Sequence, residues 1–179
     1  VFSEEEKKGG ILLVDIGADV TSFAVSVDNV PYCTAAVGMG SRYITSDISK
    51  VLGIPLNIAE EIKKNDGICH EIYLQEGKEI VLPISCGVLA DKAIKCSEVC
   101  EIIQARLWEI FMEIGSILET ENQLENINGG IIFTGGGSLV PGICELAYEC
   151  FGIQARVGLP IGFEDHTGGR VNSPGYTVA

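Results

Sequence analysis

Short apolar segments separated by residues that favour turns mark the beginning of the chain. They predict three consecutive strands, over Ile11–Val14, Ser22–Val27 and Tyr32–Val37. The segment Val27–Pro31 joins the second strand to the third, and its Asp, Asn and Pro residues are typical of a tight turn. We therefore expect these strands to form an antiparallel meander.

Apolar residues at helical spacing replace the strand pattern after the meander. They predict a helix that is capped by Ser41 and runs to about Leu52, and a second helix that starts after Pro55 and runs to about Asn65. A longer helical pattern extends over Gly87–Glu119, with a break near Lys95–Ser97. Helices that follow strands in this way indicate a fold that combines both kinds of element.

Two short segments ahead of the long helix predict a β-hairpin. They are Cys69–Leu74 and Glu79–Leu82, and the residues Gln75–Lys78 between them favour a turn. Together with the helix before it, this hairpin would form a small inserted α+β subdomain.

The last part of the chain predicts a strand–helix–strand unit. Its strands lie over Gly130–Phe133 and Ala155–Gly158, its helix lies over Val140–Phe151, and residues 160–179 are expected to be loop-like. The ribonuclease-H-like unit has this order of elements, with three antiparallel strands followed by parallel ones. The predicted fold class is therefore α/β, with a mixed five-stranded sheet, helices and the small inserted subdomain.

Composition supports a packed core and argues against two classes of partner. The hydrophobic fraction is 46%, whereas 25 acidic and 12 basic residues give a net charge of −13. Such an excess of carboxylates disfavours binding to nucleic acid and adsorption on anionic lipid. No apolar segment approaches the roughly 20 residues that span a bilayer. Because Val1–Gly10 is polar, we expect a flexible lead-in and not a secretory signal.

The cysteines and histidines suggest neither a metal site nor a catalytic centre. The seven cysteines show no CxxC motif and no paired Cys/His spacing, which favours free thiols in a reducing cytoplasm. His70 and His166 have no nucleophile pattern near them, so no catalytic residue is predicted.

The first glycine turn, Asp15–Ala18, directly follows a predicted strand. Gly17 permits a tight turn whose backbone N–H groups can point at phosphate oxygens. Asp15 at the strand end can hold a hydrated Mg²⁺, which prefers one or two carboxylates plus waters. The alternative is an ordinary hairpin turn with an exposed acid, which this segment by itself favours.

The second glycine turn, Thr134–Ser138, lies between a predicted strand and a predicted helix. Its three consecutive glycines let a flat base or a phosphate lie against the backbone, and a helix N-terminus favours anions. The alternative is a flexible turn in which Ser138 caps the helix. Glu60 and Lys63, at i and i+3 on the second helix, predict by themselves only a solvated, salt-bridged face.

Together these segments resemble the actin-like ATPase superfamily of actins, sugar kinases and heat-shock chaperones. Within it they resemble the C-terminal half of the FtsA family of bacterial cell-division proteins. The resemblance keeps its order over roughly residues 11–162. The matching segments are the second phosphate motif at Val14–Ala18, the glycine-rich turn and helix at Val37–Ile48, the helix at Ala59–Lys63, the adenosine motif at Ile131–Gly142 and the strand at Ala155–Pro160.

The resemblance implies roles for two groups of residues. Gly17, Ala18 and Thr21 would face the β- and γ-phosphates of ATP or ADP. Asp15 would hold Mg²⁺ through water. The residues implied to contact the adenosine are Glu60, Lys63, Gly135, Gly136, Gly137 and Ser138.

The first glycine turn departs from the family pattern, which is Asp-Ile-Gly-small-Gly-Thr-Thr-Asp. Here Asp19 replaces the second Gly, Val20 the first Thr and Ser22 the final Asp. A carboxylate beside a phosphate is repulsive by about 1 kcal/mol or more at the dielectric of a protein surface. We therefore expect weakened phosphate binding, and no ATP turnover by this chain alone.

The resemblance also implies domains and partners. Residues 11–53 and 93–179 would form subdomain 2A, and residues 54–92 subdomain 2B, after the lead-in of residues 1–10. Such a protein would be a cytoplasmic ATP-binding scaffold that forms actin-like filaments and recruits FtsZ to the septum through subdomain 2B. It would lie at the inner face of the cell membrane through a tail absent from this chain. The alternatives are half of a PilM-like pilus-assembly ATPase or of a sugar- or acetate-kinase-like phosphotransferase.

Overall fold

Both strands and helices are present in the computed structural model, which describes residues 9–28, 30–81 and 93–159. Within these ranges the chain forms seven strands: β1 (Ile11–Ile16), β2 (Thr21–Val27), β3 (Val30–Val37), β4 (Glu79–Val81), β5 (Ala93–Lys95), β6 (Ile131–Thr134) and β7 (Ala155–Val157).

Five of these strands form one sheet, in the order β3-β2-β1-β6-β7. The strands β1, β2 and β3 are antiparallel neighbours, whereas β6 runs parallel to β1 and β7 runs parallel to β6. This topology confirms the predicted mixed sheet, with an antiparallel meander followed by parallel strands.

Helices pack against this sheet and against one another. In the described part of the chain there are four α-helices: α1 (Ser41–Leu52), α2 (Leu56–Asp66), α3 (Cys96–Thr120) and α4 (Ile143–Phe151). Three short 3-10 turns occur in the same ranges, at Glu71–Tyr73, Leu124–Asn126 and Gly136–Leu139.

Helix α3 forms the centre of the hydrophobic core. Its buried side chains recur at helical spacing, as expected for one apolar face of a long helix. The ring of Phe111 packs against Phe133 of β6 and Phe151 of α4, at centroid distances of 5.5 and 5.7 Å. These contacts fix α3 against both the sheet and α4.

The predicted hairpin is wrong in its partner strand. Strand β4 pairs with β5 and not with Cys69–Leu74, which contains a 3-10 turn. The Cys69 N–H donates to the Pro141 carbonyl at 2.9 Å, and His70 Nε2 lies 3.1 Å from Glu149 Oε1. Contacts with distant residues therefore hold Cys69–Leu74 outside the two-stranded sheet of β4 and β5.

The long helix begins later than its pattern predicts. It starts at Cys96, inside the predicted break, and β5 precedes it. Ile94 of β5 and Ile80 of β4 are buried while their strand neighbours are exposed, so the two short strands alternate as a half-buried sheet does. The rest of the predicted helix start, residues 87–92, lies outside the described residues.

Helix α4 begins at Ile143, after a 3-10 turn and a Gly142 whose φ is +94°. Its predicted start at Val140 is therefore three residues early. The predicted lead-in up to residue 8, Leu82 of the predicted hairpin and the tail at residues 160–179, with His166, lie outside the described residues. The predicted subdomain boundaries stay a prediction.

Candidate functional site

The ends of β1 and β6 bring the two glycine turns to one edge of the sheet. The strands are parallel, and Asp15 lies opposite Thr134 in the register. The β1 turn (Gly17–Val20) and the β6 turn (Gly135–Leu139) therefore start side by side. The carboxyl ends of parallel strands are the usual place for ligands in α/β sheets.

Two of the three consecutive glycines are required by close packing on β1. A Cβ atom on Gly135 would collide with Asp15 Oδ1, and Gly135 also has a φ of +81°. A Cβ atom on Gly137 would collide with Ile16 Cγ2. Gly136 is exposed and has open space where its Cβ atom would be, so it is the glycine of this turn that faces outward.

Ser138 stabilises the β6 turn from the inside. Its side chain is buried, and its hydroxyl donates to the Gly135 carbonyl at 2.7 Å. This bond is internal to the turn, and the predicted contact of Ser138 with adenosine stays a prediction.

Hydrogen bonds from α1 hold the β1 turn in place. The Gly17 N–H donates to the Val20 carbonyl at 3.0 Å and closes the turn. The Gly17 carbonyl accepts the Ser41 N–H at 2.9 Å, and the Ala18 carbonyl accepts the Arg42 N–H at 2.8 Å. The first amides of α1 are therefore occupied by the turn and are not free to bind an anion.

The amides of Ala18, Asp19 and Val20 are the donors that the β1 turn leaves available, and the first two lie at its tip. None of the three donates to a backbone carbonyl within the described residues, and N–H groups of such turns bind phosphate oxygens. The Asp19 carboxylate forms an exposed ion pair with Arg42 at 2.6 Å. This cation offsets part of the repulsion that Asp19 would exert on a phosphate.

Thr21 lies beneath the β1 turn. It is fully buried, and its hydroxyl donates to the Met39 carbonyl at 2.7 Å. Its proton is therefore already used within the protein, and its predicted contact with phosphate stays a prediction.

Asp15 and Thr134 form a polar pair at the sheet edge. Burial raises the pKa of the Asp15 carboxyl, and the Thr134 hydroxyl opposes that rise. Thr134 Oγ1 nevertheless makes no hydrogen bond of ordinary geometry. Among the described residues, it is the only buried side-chain N or O atom without a hydrogen-bond partner. One carboxylate beside an unpaired hydroxyl fits a hydrated Mg²⁺, whose bound waters need such partners.

Helix α2 places Glu60 and Lys63 against α1 and not in bulk water. The Lys63 ammonium lies 3.1 Å from the Ser41 carbonyl, 2.8 Å from Thr45 Oγ1 and 2.7 Å from Glu60 Oε2. These contacts use its three N–H donors. The i,i+3 salt bridge that the local spacing predicted is present, but the Lys63 side chain is only 11% exposed and is therefore not solvated as predicted.

Thr45 completes this network and was missed by sequence reasoning. It is buried, and its hydroxyl donates to Glu60 Oε2 at 2.5 Å while accepting from Lys63. Burial alone would raise the pKa of Glu60, but hydrogen bonds from Lys63 and Thr45 lower it to about 2. The available signal was a polar residue within the apolar stripe of α1, beside Ile44 and Ile48.

A cavity of about 360 Å³ separates α2 from the β6 turn. Its walls include Glu60 and Lys63 on one side and Gly136 and Gly137 on the other. Ser41 also lines it, and the Ser41 N–H bond to the β1 turn places that turn at its border. The cavity thus joins the two segments predicted to contact adenosine, and its size is typical of small-molecule sites.

The chain matches known cell-division proteins over most of its length. The family model for cell division protein FtsA matches residues 12–179. The FtsA protein of Borreliella burgdorferi is 36% identical over 160 residues, which are 89% of this chain and 39% of that protein. The FtsA protein of Neisseria meningitidis serogroup B is 33% identical over 183 residues, or 43% of its length. The chain therefore spans about two fifths of these relatives.

Solved structures show the same fold at lower sequence identity. MreB5 of Spiroplasma citri bound to AMPPNP has a TM-score of 0.73 at 20% identity, covering 87% of this chain and 50% of that protein. The PilM–PilN type IV pilus biogenesis complex has a TM-score of 0.63 at 20% identity, covering 87% of this chain and 37% of the matched chain. The fold is thus that of the actin-like ATPases.

Across the described residues, none of the helices is both long and apolar enough to cross a membrane. Because the family model covers nearly all of it, the chain belongs to the FtsA family of cell-division proteins.

Proposed function

We propose that this chain supplies one wall of an adenine-nucleotide site in an FtsA-like scaffold. The observation that carries the proposal is the cavity between α2 and the β6 turn. Glu60 and Lys63 would contact the ribose and adenine, and the exposed backbone at Gly136 would support the flat base. The ordered network around Lys63 supports this role, because it fixes both side chains before a ligand arrives.

The phosphates and their magnesium ion would lie at the β1 turn. The available amides of Ala18 and Asp19 support phosphate binding there, with Gly17 shaping the turn. Asp15 and Thr134 would hold waters of the Mg²⁺ ion, which supplies positive charge beside the phosphates when it is bound. The Asp19 carboxylate opposes binding, so we expect adenosine to contribute more to affinity than the phosphates do.

Family membership supports a structural role for the nucleotide in cell division. Nucleotide binding would regulate assembly into actin-like filaments, with slow turnover or none. Subdomain 2B, residues 54–92, would bind the C-terminal tail of FtsZ at the septum, beside the membrane. A titration with labelled FtsZ tail peptide tests this, because saturation is expected and its absence up to millimolar peptide would contradict it.

A pair of adjacent lysines provides a direct test of the nucleotide site. Both lysines line the cavity, but Lys63 is 11% exposed and lies within the network, whereas Lys64 is 68% exposed and pairs with Glu60 Oε1 at the rim. The substitution K63M should weaken binding of fluorescent ADP about tenfold or more, and K64M about threefold or less. Calorimetry with ADP and with adenosine gives the same comparison without a label. Equal losses in the two variants, or no binding by the unmodified protein, would contradict the proposal.

A further inference from the structure

A groove of about 590 Å³ runs between α1 and α3 and shares no lining residue with the cavity at α2. Apolar side chains from both helices line it, among them Ile102 and the buried Leu52. Val51 lies at its border with 67% of its surface exposed. An apolar groove open to solvent is a common feature of protein interaction sites.

The borders of this α1–α3 groove are acidic. Its lining contains four carboxylates and one guanidinium, a net charge of −3. Arg106 is already paired with Asp47 at 2.6 Å and with Glu109 at 2.5 Å. Glu98 and Glu101 make no ion pair with any described residue. Two exposed negative charges therefore stand beside an apolar surface without a cation to balance them.

The apolar surface continues along α3 beyond the groove. Trp108 is 38% exposed and Met112 is 55% exposed. With Glu101 and Ala105 they recur at spacings of three and four residues, so they lie on one face of the helix. This face thus carries the acidic Glu101 at the groove and the large apolar side chains of Trp108 and Met112 beyond it.

We infer that the α1–α3 groove docks a cationic, amphipathic segment of a partner protein. Lys or Arg side chains of the partner would pair with Glu98 and Glu101, and its apolar side chains would enter between Val51 and Ile102. Charge complementarity selects this occupant over a second copy of the chain. The groove lining of each copy carries a net charge of −3, so two copies that met groove to groove would repel at this surface.

The test uses an amphipathic peptide of about 18 residues, built from Lys and Leu at helical spacing. The unmodified protein should bind it in fluorescence anisotropy, and a scrambled peptide of equal composition should bind more weakly. The double variant E98Q/E101Q should bind about tenfold more weakly. The matched variant E113Q/E119Q removes two exposed charges of the same helix away from the groove and should change affinity about twofold or less.

Three results would overturn the inference. The first is an equal loss in the two double variants, which would mean that the peptide responds only to net charge. The second is equal binding of the scrambled peptide, which would mean that the apolar groove is not used. The third is a protein dimer in sedimentation that E98Q/E101Q dissociates, because the occupant would then be a second copy. Circular dichroism melting of each variant confirms that the compared proteins are folded.

Discussion

Thr45 donates its hydroxyl to the Glu60 carboxylate at 2.5 Å, across the contact between α1 and α2. Thr45 Oγ1 also accepts a hydrogen bond from the Lys63 ammonium, so the Thr45 side chain orients both Glu60 and Lys63 of the candidate adenosine site. Thr45 does not line the cavity itself. It therefore acts as a positioning residue, through the geometry that it imposes on its neighbours.

Replacing Thr45 with valine should weaken nucleotide binding without filling the cavity. The T45V side chain keeps the shape but removes the hydroxyl, which leaves Glu60 and Lys63 each with one partner fewer. A buried hydrogen bond to a charged group contributes about 1.5–3 kcal/mol, so we expect a loss of tenfold or more in ADP affinity. Calorimetric titration measures it.

The conservative variant T45S separates this role from simple packing. It keeps the hydroxyl and should retain most of the affinity. In T45V, NMR titration should also show a higher Glu60 pKa, since one of the bonds that lower it is gone. An unchanged Glu60 pKa together with unchanged affinity would contradict the positioning role.

Glu60 should also make the stability of the protein depend on pH in the acidic range. Its pKa falls from 4.5 to about 2 on folding. The carboxylate therefore contributes stability that is fully present above pH 4.5 and is lost as the pH falls toward 2. Its side chain is 35% exposed, so after solvent screening we expect about 1–2 kcal/mol.

Urea unfolding of the unmodified protein and E60Q measures this contribution. The difference in unfolding free energy between them should shrink steadily as the pH is lowered from 4.5 toward 2, since Glu60 is progressively protonated and approaches the neutral state of the glutamine. A difference that stays constant over that range would show that the ion pair is not the source.

The meander and the first two helices follow from local pattern, because each has clear turn residues and a strong period. The segment after α2 does not, because its structure depends on contacts far along the chain. Cys69 and His70 satisfy their hydrogen bonds with Pro141 and Glu149, more than seventy residues away. No local period contains that information, so an apolar segment there resembles a strand.

The two glycine turns of the candidate site were predictable from the sequence, but the packing contacts that hold its residues in place were not. The glycines of the β6 turn are visible in the sequence, but only packing on β1 distinguishes Gly135 from Gly136. Likewise, Glu60 and Lys63 have the spacing of any surface pair. Their burial depends on how α2 lies against α1, and this is also why Thr45 went unnoticed.

The glycines of the β6 turn should separate into structural and ligand-facing positions. G135A places a methyl group against Asp15 at a φ of +81°, so it should destabilise the protein by about 2 kcal/mol or more. G136A meets open space and should leave the melting temperature nearly unchanged. Thermal melting of the two variants measures the difference.

A larger side chain at position 136 tests the ligand-facing role directly. G136V should keep the fold and lower ADP affinity, because position 136 lines the cavity at α2. A folded G136V protein with unchanged affinity would place the adenosine elsewhere, and equal melting temperatures for G135A and G136A would refute the packing argument.

The Asp19–Arg42 pair should set how strongly the phosphates contribute to binding. Asp19 places a negative charge in the β1 turn, and Arg42 offsets it at 2.6 Å. D19G removes the carboxylate and should raise affinity for ADP about fivefold, because a repulsion of about 1 kcal/mol is lost. R42Q leaves Asp19 unpaired and should lower ADP affinity by a similar factor.

Adenosine serves as the internal control for both variants, since it carries no phosphate. Its affinity should stay the same in D19G, in R42Q and in the unmodified protein. The effects on ADP should also diminish between about 50 and about 500 mM salt, because the pair is exposed and screened. If D19G raised the affinities for ADP and adenosine equally, Asp19 would act on the shape of the turn and not on phosphate charge.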